Sequence, residues 1–120
     1  MNHQAEAIIV TCIDFRLQEA INKWIAENFK NGTFDRVALG GGVKNLDSIM
    51  GQIEIAHKLH HIKKVILINH EDCGAYGEEG TPEKHSEDLR NAKAKVNGKY
   101  PNLEVEAFYL QLDGTFESIA

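Results

Sequence analysis

Two short segments of this 120-residue chain carry side chains that bind metals and handle protons: Cys12-Ile13-Asp14-Phe15-Arg16 and His70-Glu71-Asp72-Cys73-Gly74. Each follows an apolar run. Together they offer two thiolates and an imidazole, donors that Zn²⁺ prefers. Structural zinc sites fill all four positions with Cys or His, whereas three protein ligands and an open position make the catalytic pattern. Cys12, His70 and Cys73 are three, with Asp14 available as a fourth ligand in a closed state. The count points to a metal that does chemistry. Zinc lowers the pKa of a bound water from about 15.7 towards 7, which makes hydroxide available near neutrality. Two thiolates cancel the formal charge of the ion, so they acidify that water less than three imidazoles would. An oriented acceptor compensates. Asp14 can accept the hydroxide's proton in a hydrogen bond, and Arg16 can hold Asp14 ionised and off the metal through a charge-assisted contact.

Plainer readings compete with each of these residues. A cysteine that ends a strand is commonly an inert core residue, and Asp14 with Arg16 can be a surface ion pair of little energetic value. Cys12 can also be read as a thiolate nucleophile near a guanidinium. His57, His60 and His61 cluster near a helix end, where cationic side chains suit the dipole, and they read as structural or solvent-facing. His3 and His85 have no context and receive no role. Gly40-Gly41-Gly42 invites a phosphate-loop reading, but the third glycine of a dinucleotide fingerprint would fall on Asn45, and no Gly-Lys-Ser/Thr follows. These glycines read instead as a place where backbone passes close to the metal site. Gly41, Gly42 and Gly74 are the candidate lining of a substrate pocket.

The elements that must position these side chains follow from periodicity. Ala7 to Cys12 is a continuous β-branched run, as in a strand buried on both faces. Leu17, Ala20, Ile21, Trp24, Ile25 and Phe29 recur at helical spacing. Arg36 to Leu39 is a second strand, and Asp47 to about Leu59 a second helix. Val65 to Ile68 is a third strand leading into His70. Thr81-Pro82-Glu83 predicts an N-cap, a first-turn proline and an acid. The helix they open runs to about Asn97, with Leu89, Ala92 and Val96 as its thin apolar stripe. Glu104 to Leu112 is the fourth strand. Alternating strands and helices predict one α/β domain over residues 1–120, with a parallel sheet and helices on both faces. For one ion to reach Cys12, His70 and Cys73, the first and third strands must be neighbours, which predicts the strand order 2-1-3-4 with the site at the reversal.

Composition narrows the partners. A net charge of −5 and interspersed basic residues argue against nucleic acid. The Ala7–Cys12 run is about a third of a membrane span, and no basic segment precedes it, so a cytoplasmic protein without a membrane partner is expected. In a reducing compartment the two cysteines read as ligands, not as a disulfide.

Cys-x-Asp-x-Arg after one strand, with His-x-x-Cys-Gly after another, resembles the β-class carbonic anhydrase family from Ala7 to Gly77. The resemblance implies that Cys12, His70 and Cys73 bind Zn²⁺ and that Asp14 and Arg16 form a hydrogen-bonded pair beside it. It also implies a carbonate dehydratase that interconverts CO₂ and bicarbonate as a homodimer, with sites near the subunit boundary. Two features depart from the family. Leu39-Gly40-Gly41-Gly42 stands where many members have an Asn-Ala-Gly type sequence, and the helical arm that many members carry before the first strand is not expected. The alternatives are a non-catalytic zinc module closed by Asp14, and hydrolysis of COS or CS₂ at the same site.

Overall fold

The structure, a computed structural model, describes residues 3–120. Its strands are β1 (Ala7–Thr11), β2 (Phe34–Ala38), β3 (Lys64–His70), β4 (Glu104–Leu110) and β5 (Phe116–Ile119), and its helices are α1 (Gln18–Asn28), α2 (Leu46–His60) and α3 (Pro82–Lys99). Single 3-10 turns span Phe15–Leu17, Gly42–Asn45 and Gly77–Glu79. The sheet runs β2-β1-β3-β4-β5. The first four strands are parallel, in the expected order, and β5 is antiparallel to β4.

Side-chain alternation along the central strands separates two cores. Ile8 and Val10 of β1, with Val65 and Leu67 of β3, meet α2 and α3 through Ile49, Ile53, Leu89, Ala92 and Val96. Ala7, Ile9, Ile66 and Ile68 point the other way, onto Ile21 and Ile25 of α1. A strand buried on both faces must be apolar at every position, so these runs show no polar alternation. Among the described residues α1 is the one helix on its face, and Trp24 extends that cover by stacking on Phe116 at 5.3 Å and meeting Phe108 edge-on at 5.2 Å.

The helix ends follow local chemistry. Thr81 caps α3 by accepting from Lys84 N–H at 3.1 Å, with Pro82 in the first turn. α2 stops at His61, which takes the left-handed conformation at φ 53°. α1 opens through the Phe15–Leu17 turn, whose first N–H groups are met by Asp14.

The fifth strand is an addition to the expected sheet. Its turn lies in Asp113-Gly114, where Gly114 adopts φ +93° and the Asp113 side chain accepts from Thr115 N–H at 2.9 Å. Asp-Gly is a strong hairpin signal. Here it ends β4 at Leu110, two residues short of the expected Leu112, and returns the chain as a short antiparallel edge, Phe116–Ile119, which the sequence reading did not include.

Two glycines give opposite expectations. Gly51 lies on the exposed side of α2, and a Cβ there would meet nothing within 4 Å. Gly51→Ala should therefore stabilise the protein by about 0.5–1 kcal/mol through helix propensity and a less flexible unfolded chain. Gly42 has φ +56°, and a Cβ there would run into Asn69 Oδ1 and approach the Ile68 carbonyl to 3.1 Å. Gly42→Ala should cost about 1–3 kcal/mol. Urea midpoints of the two variants on opposite sides of the wild type are the expected result, and a shift in the same direction would refute this account.

Candidate metal centre

Parallel pairing of β1 with β3 aligns Val10 with Leu67, so the carboxyl ends of both strands emerge side by side. Cys12 lies just past one end and His70 closes the other. Cys73 returns towards them by a tight turn in which Tyr76 N–H and Gly77 N–H donate to the Cys73 carbonyl at 3.1 and 3.2 Å. The two sulfurs are 4.0 Å apart. The donor atoms of Cys12, His70 and Cys73 all lie within 4.8 Å of one another, and all three residues are buried.

The imidazole is oriented for ligation. His70 Nδ1 lies 2.7 Å from the Glu71 carbonyl oxygen, which can only accept, so Nδ1 carries the proton. Nε2 is left with a free lone pair, buried and without a hydrogen-bond partner among the described residues. An orphaned buried nitrogen is costly in an apolar site, and a divalent ion beside two sulfurs satisfies it. The donor set fits zinc, and the backbone contact at Nδ1 is the outer support that ligating histidines usually have.

Electrostatics agree with this arrangement. Burial pushes the Cys12 thiol up, but the His70 imidazole and the Gly41 N–H, 3.4 Å from the sulfur, outweigh it and bring the pKa to about 7. At Cys73 burial, with the neighbouring Cys12 sulfur, outweighs the Ala75 and Tyr76 backbone N–H groups and raises the pKa. The pair therefore holds one sulfur ready to ionise and one that needs an ion.

Asp14 sits at the rim, its Oδ2 3.8 Å from His70 Nε2. Arg16 holds it in a fork: Nε donates to Oδ1 at 3.1 Å, Nη2 to Oδ2 at 2.7 Å, and the Arg16 backbone N–H to Oδ1 at 2.9 Å. These contacts keep the carboxyl pKa at about 2. The other side of the same guanidinium reaches the second motif, with Nη1 donating to Asp72 Oδ2 at 3.0 Å and Nη2 to the Asp72 carbonyl at 2.8 Å. Asp72 takes the left-handed conformation at φ 56° and so turns its carbonyl group towards Arg16. Arg16 ties the two motifs together.

The glycines differ in placement. Gly41 and Gly42 pass against Cys12 and Asn69, whereas a Cβ at Gly74 would meet nothing within 4 Å. The α2 histidines lie at the far edge of the sheet, where His60 Nδ1 pairs with Asp35 Oδ2 at 2.6 Å and His57 packs on the Tyr100 ring at 4.6 Å. A surface cavity of about 540 Å³, lined by His61, Lys63, Glu6 and Thr33, lies at that same amino-terminal edge, away from the cysteines.

Four residues near the site carry contacts that motif spacing does not suggest: Asp72, Asn69, Tyr76 and His85. Two of them had a signal. Asn69 is an amide at the end of an apolar strand, and His85 stands one turn before Leu89 on the apolar stripe of α3, so both must face inward.

Residues 2–120 match the family model described as "Putative carbonic anhydrase". A protein of Rickettsia bellii, named only as an uncharacterized protein, is 32% identical over 136 residues, covering 98% of this chain and 83% of its own length. The crystal structure of a carbonic anhydrase from Streptococcus mutans superposes with a TM-score of 0.72 at 17% identity, covering 100% of this chain and 86% of that one. A carbonic anhydrase from Glaciozyma antarctica gives 0.74 at 17% identity, with 100% and 85% covered. Tetrameric beta-carbonic anhydrases from Sordaria macrospora give 0.58 at 14% identity, with 100% and 82% covered. At such identities the structural likeness is one of fold, and the family rests on the sequence match. A match over nearly the whole chain, on this sheet order, makes the protein a member of the β-class carbonic anhydrase family.

Proposed function

We propose that this protein is a zinc-dependent carbonate dehydratase that interconverts CO₂ and bicarbonate. Cys12, His70 and Cys73 would hold the ion, and Asp14 and Arg16 would be the catalytic residues. The observation that carries the reading is the convergence of two buried sulfurs and a free imidazole lone pair beside an Asp–Arg fork. When bound, zinc supplies a Lewis acid that brings the pKa of water towards neutrality.

The chain's own residues supply the rest. Cys12, with a pKa of about 7, ionises readily as the ion arrives. Asp14, at about 2, is too acidic to store a proton near neutrality and so works as a fixed acceptor that orients a donor at the open side of the cluster. Arg16 grips both carboxylate oxygens and keeps Asp14 from turning inward as a fourth ligand.

The same reading takes the protein as cytoplasmic, where Cys12 and Cys73 stay reduced. No helix among the described residues is long and apolar enough to cross a membrane. We also propose a homodimer. Ile13 and Phe15 are 61% and 87% exposed on the loop that carries Asp14, and among the described residues α1 is the one helix on that side of the sheet. Apolar side chains so exposed beside a site suit a partner subunit.

Stopped-flow CO₂ hydration by zinc-loaded protein, from about pH 7 to 9, should exceed the buffer rate in proportion to protein. A rate equal to buffer rejects the function. Arg16→Ala should keep about one zinc per chain while hydration falls at least tenfold, because no ligand is lost but Asp14 is released onto the ion. Wild-type activity in that variant would remove Arg16 from the mechanism. Sedimentation at micromolar concentration should give a dimer, and a monomer would refute the assembly.

A further inference from the structure

Asn69 immediately precedes His70 and is 1% exposed, although asparagine is depleted in strands. Each end of its amide is in use. Val43 N–H donates to Oδ1 at 3.0 Å, and since a backbone N–H can only donate, this contact decides which end of the amide is oxygen. Nδ2 then donates to Tyr76 Oη at 3.1 Å and lies 2.9 Å from His85 Nδ1. For that second contact to be a hydrogen bond, His85 must present a lone pair at Nδ1, so its ring is neutral with the proton on Nε2. Burial, which holds the His85 pKa down to about 4, acts in the same direction. Tyr76 passes its own hydrogen to Asp88 Oδ2 at 2.8 Å, and Lys84 Nζ faces that carboxylate at 3.3 Å.

The three partners of this one amide belong to three segments around the cluster. Val43 follows Gly41, whose N–H faces Cys12 Sγ. Tyr76 closes the turn on the Cys73 carbonyl. His85 lies in the first turn of α3, fully buried. Gly42 lets the first segment come this close, since any side chain there would collide with Asn69 Oδ1.

We propose that Asn69 is the positioning residue of the metal centre. Its amide, braced by the acceptor nitrogen of His85, holds the Gly41 segment and the Cys73 turn at the separation at which Cys12, His70 and Cys73 converge on one ion. The inference rests on the reading of those three residues as ligands. It gives His85 a role as a neutral acceptor, which an apolar residue of similar size cannot fill.

The test measures Zn²⁺ affinity by competition with a chromophoric chelator, together with the visible absorption of the Co²⁺-substituted protein. Neither depends on activity. His85→Leu removes the acceptor, and His85→Asn restores one as an amide oxygen. Val96→Ala opens a cavity about three turns along the same helix, outside the network, and controls for lost stability. His85→Leu is expected to weaken Zn²⁺ binding about tenfold or more and to shift the Co²⁺ bands. His85→Asn should stay within about threefold of wild type, with unshifted bands, and Val96→Ala should change neither. Asn69→Ala should match or exceed the loss in His85→Leu; if it does not fold, the His85 pair decides. Wild-type affinity and bands in His85→Leu, or an equal loss in Val96→Ala, would overturn the proposal. An unmutated chain that binds neither metal would refute the ligand reading itself, and with it this inference.

Discussion

Everything at the site depends on one constraint, the parallel pairing of β1 with β3. The motifs are separated in sequence by two helices and a strand, and neither holds a complete donor set. Pairing in register from Ala7 with Lys64 to Val10 with Leu67 brings their exits together. Because β2 and β4 lie on opposite sides of this pair, the connections leave in different directions and open a crevice at the reversal of strand order. The pairing is itself specified by packing. A slip of one residue would send Ile8 and Val10 to the α1 face and Ile9 to the α2 face, exchanging two sets of side chains of different shape.

Given that placement, the remaining difficulty is electrostatic. The crevice gathers two sulfurs and three carboxyl groups (Asp14, Asp72 and Glu71) in a chain that is acidic overall. Arg16 answers most of this by contacting both Asp14 and Asp72. Glu71 turns away, and its Oε1 accepts from Leu112 N–H at 2.9 Å, which helps to start the β4–β5 turn. One guanidinium against two carboxylates leaves the rim of the cluster net negative. A cation is the natural counterpart of such a site, and this accounts for a His70 lone pair that no group among the described residues satisfies.

Much of this was legible in the sequence. The order of the first four strands followed from requiring one ion to reach Cys12, His70 and Cys73, and the apolar runs marked the strands themselves. The less legible parts share a physical character. β5 is four residues long, lies beyond the expected strand end at Leu112, and only Ile119 in it is buried, with Phe116 half-buried, so too short an apolar pattern marks it. Asp72 is paired with Arg16 by a left-handed backbone, which spacing alone does not reveal. Asn69 and His85 are polar residues at positions where the apolar pattern asks for Leu or Val. Their partners, Val43 and Tyr76, lie on other segments, and only the fold brings them together.

Interruptions of that kind are informative because burial makes them expensive. A buried amide or imidazole without partners destabilises a fold by about 1–3 kcal/mol, whereas a satisfied pair is close to neutral compared with well-packed apolar side chains. His85 Nε2 is buried without a hydrogen-bond partner among the described residues, so stability alone gives no reason to keep Asn69 and His85 in contact beside the end of β3. Their value lies in direction. Apolar contacts are tolerant of small rotations, but an amide that accepts from one segment and donates to two others fixes all three in orientation as well as distance. The demand for such orientation is greatest next to atoms that must converge on a single ion. The end of β3 is therefore polar for the reason its middle is apolar: each part carries the interaction that its neighbours require.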